Sequence, residues 1–270
     1  MQTINLANNI SLEFDPGRHK YYLDGRQLHG VTGIAELTGE NGWRIPWAAK
    51  MCSEVADELI APLIDEVELP KIVRQVKGAP FRKSSDAIDI GNAAHSWLEQ
   101  YTLFLIGESK APGAEKPIRL ASKPTTPKNK IVKEAVRPFV QWVKDNEPEF
   151  LAAEQVIYYE GKYDFAGTMD LRFKLGDDLC IGDFKTAKML KREYIFQLGL
   201  YACAIEKTFP DQKVKRLFLF RLPKIEGDEM EVREFPFTKT LKECCLGLNK
   251  VKHIAVDIDQ WLKKSSNKKD

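Results

Sequence analysis

Hydrophobic and polar residues alternate along the first thirty positions of the chain, and turn-forming pairs interrupt the alternation. The alternating segments are 10–14 and 21–23, and the interruptions are Pro16-Gly17 and Asp24-Gly25. Alternation with a period of two, broken by Pro-Gly and Asp-Gly pairs, predicts short strands joined by tight turns. A small β element is therefore expected at the start of the chain.

Three stretches with a helical period follow. Pro46 suits the first position of a helix, and apolar residues recur every fourth position from Trp47 to Val67. Capping residues at 84–86 predict a second helix that runs to about Ile106, before Gly107. A third helix is predicted at 131–144.

Strands and helices alternate in the second half of the chain. The predicted strands are 155–159, 165–174, 179–185, 214–221 and 231–237, and the predicted helices are 193–206 and 239–262. This order predicts a mixed α/β (α+β) fold with a small mixed β-sheet flanked by helices. We expect an N-terminal β-hairpin and helical elaboration over 1–83. A core over 84–270 would include a basic loop near 108–130 and a C-terminal helix with a lysine-rich tail.

Composition excludes several classes of protein. A chain of 270 residues that is 43% hydrophobic can bury a substantial core, and no apolar run approaches the roughly 18 residues of a membrane span. The N-terminus carries no secretory or mitochondrial targeting pattern. The five cysteines, an odd number, do not form a disulfide framework. We therefore expect a cytoplasmic protein without a membrane partner.

Positive charge is concentrated in two stretches although the net charge is only +2. Residues 71–83 contain no acid, and residues 116–137 contain Glu134 as the single acid. Alone, each stretch would be interpreted as a solvated surface. The bases of the two stretches include Lys71, Arg74, Lys77, Arg82, Lys83, Lys123, Lys128, Lys130 and Lys133.

The segment 165–185 contains the most informative pattern. Gly176-Asp177 suits a two-residue hairpin turn, which would place residues whose numbers sum to about 353 opposite each other. Asp170 would then face Asp183, with their Cβ atoms roughly 4.5–5.5 Å apart, and Lys185 would lie on the same face. The opposite face is expected to be a core face, formed by Met169, Leu171, Phe173, Cys180 and Phe184.

Two neighbouring carboxylates indicate a cation site. Their repulsion raises one pKa unless a cation lies between them, and hard oxygen ligands suit Mg²⁺ or Mn²⁺. A surface hairpin whose acids pair with Arg172 and Lys185 is the alternative. It does not explain why Asp170, Asp183 and Lys185 share one face of an apolar hairpin.

Two helical stripes carry further polar residues. Gly91, His95 and Glu99 are spaced four residues apart and lie along one side of a helix. Gln197 and Tyr201 lie one helical turn apart. Each stripe taken alone is explained by core packing.

Together these motifs resemble the PD-(D/E)xK nuclease superfamily, specifically its RecB/Cas4-like exonuclease branch. The N-terminal segment is also similar to phage-type and mitochondrial genome maintenance exonucleases. The resemblance spans residues 91–201. It is carried by Gly91-x3-His95, Glu154, Gly167-Thr168-x-Asp170, Asp183-x-Lys185 and Gln197-x3-Tyr201.

The resemblance implies a restriction-endonuclease-like core and a role for each motif residue. His95, Asp170, Asp183 and the main-chain carbonyl of Phe184 would bind Mg²⁺ or Mn²⁺. Lys185 would position the attacking water, Glu154 would support the site, and Gln197 and Tyr201 would hold Lys185 or a phosphate. The basic stretches and Lys188 would then bind DNA.

The chain departs from its relatives in two ways. Cys52, Cys244 and Cys245 do not reproduce the four-cysteine iron–sulfur motif of Cas4-type members, so no Fe–S cluster is expected. No G-x4-G-K-[ST] motif is present, so any unwinding would come from a partner, and the candidate partners are a helicase, a single-strand-binding protein or an annealing protein. Without a transit peptide, the expected location is a bacterial cell or a phage-infected host.

The favoured hypothesis is a metal-dependent DNA exonuclease acting on single strands or duplex ends in recombination, repair or replication. A structure-selective flap nuclease or endonuclease could use the same site. A non-catalytic DNA-end-binding accessory protein would not need Asp170, Asp183 and Lys185 together. A retaining glycosidase also uses close carboxylates, but would leave Lys185 and His95 without a role.

Overall fold

The computed structural model describes residues 1–6, 10–39, 89–107, 122–224 and 227–266. The chain divides into two compact units, one made of Met1–Gly39 with Ser96–Asp270 and the other of Glu40–His95. The described part of the second unit is helical and covers residues 89–95. The helix predicted from Pro46 to Val67 and the domain boundary predicted after residue 83 lie outside the described residues.

The predicted N-terminal β element is confirmed as a four-stranded antiparallel sheet. Its strands are β1 (Gln2–Asn5), β2 (Ser11–Asp15), β3 (Lys20–Leu23) and β4 (Arg26–Gln27), in that spatial order. Leu12, Tyr21 and Leu28 from this region are buried together with Tyr158 and Ala166. The N-terminal sheet thus packs on the strands that follow later in the chain.

A six-stranded mixed sheet forms the centre of the larger unit. Its spatial order is β10-β9-β8-β7-β5, and β6 pairs with β7. β5 pairs with β7, and β8 with β9, in parallel, whereas the other pairs are antiparallel. The strands are β5 (His29–Gly30), β6 (Glu149–Tyr159), β7 (Phe165–Leu175), β8 (Asp178–Lys185), β9 (Val214–Arg221) and β10 (Glu231–Pro236).

Helices flank this sheet, which confirms the predicted mixed α/β architecture. Asn129 caps α3 by accepting a hydrogen bond from the backbone N–H of Ile131 at 2.9 Å. No helix among the described residues is long and apolar enough to cross a membrane. The helices are α1 (Val31–Ala35), α2 (89–107 in the described part), α3 (Lys130–Asn146), α4 (Arg192–Thr208) and α5 (Lys239–Ser266).

The two faces of the sheet carry different cores. On one face, Phe139 of α3 contacts the ring of Phe220 at a centroid distance of 5.2 Å, and Trp142 contacts Phe173 at 5.9 Å. On the other face, Leu198 of α4 and Cys245 of α5 belong to one buried cluster with strand residues. The sheet is therefore enclosed between α3 and the pair formed by α4 and α5.

Strand β6 begins at Glu149, six residues before the predicted start. Its pairing register with β7 shifts between Phe150 and Ala152, and residues 150–152 are all buried. A bulge interrupts the alternation on which the sequence-based prediction depends. Glu154, which was expected at the head of the strand, therefore lies inside it.

The prediction that Met169 shares a core face with Phe173 is wrong. Met169 belongs to the buried cluster that contains Leu198 of α4, whereas the ring of Phe173 contacts Trp142 of α3 on the opposite face of the sheet. Side chains two positions apart lie on the same face of a regular strand. The alternation along β7 is thus broken between Met169 and Phe173. This point lies opposite Glu154 of β6, whose φ of 47° is in the left-handed region.

Candidate active site

The predicted motif Gly167-Thr168-x-Asp170 lies in an opening on one edge of β7. On this edge β5 pairs with Phe165 and Ala166, and the pairing with β8 begins at Leu171. Within the described part of the chain, residues 167–170 have no strand partner on this edge. The opening leaves room for side chains from neighbouring elements to converge on Asp170.

Gly167 allows two helices to approach this opening. A Cβ atom at Gly167 would lie 2.8 Å from Cγ2 of Val31 in α1 and 2.9 Å from Cε1 of Tyr201 in α4. Real Cβ atoms do not come so close to rigid neighbours. The glycine of the motif is therefore required for packing at the edge of the site.

The hairpin brings the two predicted aspartates to the site. Its predicted register is confirmed from Leu175↔Asp178 to Leu171↔Gly182, where the described ladder ends. Beyond it, Oδ2 of Asp170 accepts a hydrogen bond from the backbone N–H of Phe184 at 2.8 Å. The Asp170 carboxylate is thus fixed by the backbone of β8 next to Asp183.

Asp183 and Lys185 form a largely buried ion pair, in which the Lys185 side chain keeps 18% of its surface exposed. The side chain of Asp183 is 1% exposed, and its Oδ2 lies 2.5 Å from Nζ of Lys185. The Nζ atom also lies 5.0 Å from the ring centroid of Tyr194 in α4. Burial lowers the pKa of Lys185, but the carboxylates of Asp183 and Asp170 outweigh it and raise the pKa above its ordinary value. Lys185 is therefore a fixed positive charge.

Glu154 and Glu99 add negative charge beside Asp170. A carboxylate oxygen of Glu154 and one of Asp170 lie within 4.8 Å of each other. Burial raises the pKa of Glu154 to about 8, and Asp170, Glu99 and Asp183 contribute to the rise. Burial and Asp170 likewise raise the pKa of Glu99. Glu99, Glu154, Asp170 and Asp183 thus form one cluster of carboxylates, and Lys185 pairs with Asp183 inside it.

This donor set suits a divalent cation. Crowded carboxylates repel one another, and a bound cation would relieve the repulsion that adds to the effect of burial on the pKa of Glu154. Their oxygen atoms are the ligands preferred by Mg²⁺ and Mn²⁺. His95 belongs to the other compact unit, one helical turn before Glu99, and its assignment as a ligand stays a prediction.

Gln197 and Tyr201 lie one turn apart on α4, as predicted. Nε2 of Gln197 donates a hydrogen bond to the Tyr201 hydroxyl at 2.9 Å. The Tyr201 side chain is 2% exposed, and burial raises its pKa well above the ordinary value. Tyr201 is therefore a neutral hydroxyl, and its assigned contact with Lys185 or a phosphate stays a prediction.

Two aromatic residues near the site were not identified from the sequence. Tyr194 lies three residues before Gln197, so the stripe 194, 197, 201 on one helix was the signal for it. The hydroxyl of Tyr21 lies 2.7 Å from Oγ1 of Thr168, two residues before Asp170. No local pattern marks Tyr21, because the two residues are 147 positions apart.

The predicted DNA-binding lysines of the described segments are exposed. Nε1 of Trp97 donates a hydrogen bond to the backbone carbonyl of Thr125 at 2.8 Å, which attaches this part of the basic loop to α2. The exposed lysines are Lys123, Lys128, Lys130, Lys133 and Lys188. The predicted residues Lys71, Arg74, Lys77, Arg82 and Lys83 lie outside the described residues.

Glu154→Gln is expected to remove a pH dependence of stability in the metal-free protein. The pKa of Glu154 is about 8 in the folded chain against an ordinary value of 4.5. Between these two pH values the folded state therefore binds more protons than the unfolded state does. Stability should therefore fall as the pH rises from about 4.5 to about 8. Urea unfolding in EDTA should show a loss of about 1 kcal/mol or more for the parent protein. An equal pH slope in the variant would contradict this assignment.

The chain matches one family model and has a low similarity to two solved structures. The family model described as PD-(D/E)XK nuclease superfamily matches residues 72–267. An alkaline exonuclease, LHK-Exo, from Laribacter hongkongensis is 9% identical with a TM-score of 0.39, covering 89% of this chain and 94% of that one. The protein SSO0001 is 12% identical with a TM-score of 0.29, covering 76% and 86%. No curated protein sequence matches the chain.

The match extends over well more than half of the 270 residues and includes the Asp170, Asp183 and Lys185 motifs. The mixed sheet between helices agrees with it. The chain therefore belongs to the PD-(D/E)XK nuclease superfamily.

Proposed function

We propose that this protein is a Mg²⁺- or Mn²⁺-dependent DNA exonuclease that acts on single strands or duplex ends. The observation that carries the proposal is the convergence of Asp170, Asp183 and Glu154 on the ammonium group of Lys185, whose side chain is only 18% exposed. Membership of a nuclease superfamily supports phosphodiester hydrolysis as the reaction. Recombination, repair or replication of bacterial or phage DNA is the proposed setting.

Asp170, Asp183, His95 and the main-chain carbonyl of Phe184 are the proposed ligands of the metal. The metal, when bound, would polarise a phosphoryl oxygen and lower the pKa of the attacking water. The ligand Asp170 is held in place by the Phe184 N–H, so its orientation does not depend on the metal. The backbone of β8 thereby preorganises the site.

Lys185 supplies the positive charge that the reaction needs near the phosphate. Hydrolysis adds one water across a P–O bond and gives a phosphate monoester and a free hydroxyl. Negative charge grows on the phosphate oxygens as the water attacks, and a fixed cation in a buried site stabilises it. Tyr194 and Asp183 hold Lys185 in place, and Glu154 supports the site from β6.

Exposed lysines beside the site are proposed to bind the DNA backbone. Each lysine that contacts a phosphate releases condensed counterions, so binding weakens as salt rises. Lys123 and Lys128 flank the segment that Trp97 attaches to α2. An iron–sulfur cluster is not part of the proposal, and a helicase remains the proposed source of unwinding.

The proposal is tested by digestion of end-labelled linear DNA and closed circular DNA with Mg²⁺, with Mn²⁺ or with EDTA. Linear single-stranded and double-stranded substrates labelled at either end should be shortened only when a metal is present. A closed circle should stay intact. Cleavage of the circle would instead indicate an endonuclease, and equal activity in EDTA would refute the metal mechanism.

A further inference from the structure

A groove begins directly beside Lys185. In the parallel pair β8 and β9, Arg221 is the partner of Lys185, and the backbone N–H of Leu222 donates to the carbonyl of Lys185 at 2.8 Å. Arg221 also lines a groove with a volume of about 820 Å³, together with Lys188 in the segment after β8. One end of the groove is therefore adjacent to the proposed catalytic lysine.

The charged residues that line this groove are mostly basic. They comprise six bases and two acids, and the acids already have partners. Asp228 lies 2.9 Å from Nη1 of Arg221, and Glu231 lies 2.5 Å from Nε of Arg233. The two acids therefore neutralise two of the six bases. The remaining four are Lys188, Lys191, Arg192 and Lys224.

Lys191 and Arg192 already have polar partners within the protein. Lys191 lies 3.5 Å from Glu193, and Nε of Arg192 donates to the carbonyl of Thr38 at 2.7 Å. Lys188 and Lys224 have no ion pair with another described residue. Lys188 is exposed, whereas Lys224 is half-buried and burial lowers its pKa. A half-buried ammonium group without a carboxylate is stabilised by an anionic ligand.

The groove also has an apolar lining. Leu190, Ile195 and Phe235 contribute to it, and Met189 is 70% exposed beside them. In duplex DNA the bases are stacked and paired, so their flat faces cannot rest on such a surface. In an unpaired strand the bases can rest on apolar and aromatic side chains while cations hold the backbone.

We infer that this groove binds the unpaired strand of a nucleic acid next to the phosphate to be cleaved, with Lys188 and Lys224 contacting its backbone. The inference rests on the proposed function and specifies its substrate as a strand that is single at this position. The groove volume lies in the range of about 300–1,000 Å³ that holds drug-sized ligands. It therefore accommodates a short stretch of strand.

Binding measurements with a catalytically inactive chain test this inference. The full-length Asp183→Asn protein would be kept in EDTA, and fluorescence anisotropy would measure its affinity for an oligothymidylate and for a blunt-ended DNA hairpin. The test variant adds Lys188→Ala and Lys224→Ala. The matched control adds Lys213→Ala and Lys215→Ala, two exposed lysines at the opposite end of β9.

Removal of the two groove lysines should weaken oligothymidylate binding about tenfold or more. The slope of log affinity against log salt should decrease by about 1.4, because about 0.7 is lost for each phosphate contact on a single strand. Hairpin binding and the control variant should change little. Unchanged oligothymidylate binding would overturn the inference, as would an equal loss for the hairpin.

Failure of the inference and failure of the proposed function are distinguishable. Digestion of labelled DNA by the parent protein tests catalysis, whereas the anisotropy measurement requires none. If the parent protein degrades DNA with Mg²⁺ but the two lysines do not affect strand binding, the groove assignment alone is wrong. If the parent protein degrades no DNA, the exonuclease proposal is wrong whatever the groove binds.

Discussion

Asp183→Asn should reduce nuclease activity about a thousandfold or more while the chain remains folded. Asparagine has nearly the same volume as aspartate but lacks the negative charge that pairs with Lys185 and that the proposed metal would need. Asp183 is 1% exposed, so water cannot enter its place and solvate Lys185 from that side. The measurement is the initial rate of hydrolysis of end-labelled DNA, with circular dichroism to confirm the fold.

The same substitution carries a stability cost that needs its own control. Breaking a buried ion pair by removing one partner costs about 3–5 kcal/mol, mainly because the other charge stays buried. Asp183→Asn combined with Lys185→Met removes both charges and should recover much of that loss without recovering activity. Recovery of activity in the double variant would contradict the role of the pair in catalysis.

A carboxylate at the other end of the hairpin provides the matched control for activity. Asp178 opens β8, its side chain is 45% exposed, and it lies 3.1 Å from Nε of Arg216. Exposed pairs of this kind contribute about 0–1 kcal/mol to stability. Asp178→Asn should therefore leave both the hydrolysis rate and the unfolding midpoint close to those of the parent protein. A loss of activity comparable to that of Asp183→Asn would indicate a general effect on the hairpin.

Phe139→Ala should destabilise the protein by about 3–5 kcal/mol and also lower its activity. Phe139 is fully buried on α3, and its ring lies 4.8 Å from that of Phe184 and 5.2 Å from that of Phe220. Removing the ring leaves a cavity directly beneath the residue whose N–H fixes Asp170. Urea unfolding followed by tryptophan fluorescence measures the first effect, and DNA hydrolysis measures the second.

Phe139→Leu serves as the graded control for this cluster. Leucine fills part of the space, so its cost in stability should be clearly smaller than that of alanine. Activity should follow the same order, because the position of Phe184 depends on how well the space is filled. If Phe139→Ala cost less than about 1 kcal/mol, the aromatic cluster would not be what supports β8 beneath the site.

The local features of this protein were predictable because their causes are local. The register of β7 and β8 follows from the Gly176-Asp177 turn, where Gly176 has a φ of 61°, and it was predicted correctly from Leu175 to Leu171. Helix α3 and strand β9 were likewise predicted to within two residues at each end. Turn chemistry and periodicity act over a few residues, so one sequence suffices to identify them.

The errors occur where a non-local contact overrides a local pattern. Glu154 has a left-handed backbone conformation although it is not a glycine, so no residue type marks the irregularity. Opposite Glu154, the alternation along β7 that would place Met169 on the same face as Phe173 is lost. The early start of β6 has a similar cause, since its bulge is defined by pairing with β7. Backbone irregularities of this kind depend on the partner strand.

The sequence alone predicts the chemical groups of the candidate site: two aspartates and a lysine on adjacent strands, with a glutamine and a tyrosine one helical turn apart. How these groups are held depends on contacts between distant parts of the chain. Folding buries Asp183 against Lys185, raises the pKa of Glu154 through burial and the neighbouring carboxylates, and brings Tyr21 to Thr168 from 147 residues away. Burial and charge crowding depend on the sum of all neighbours in space, and a linear pattern does not contain that sum.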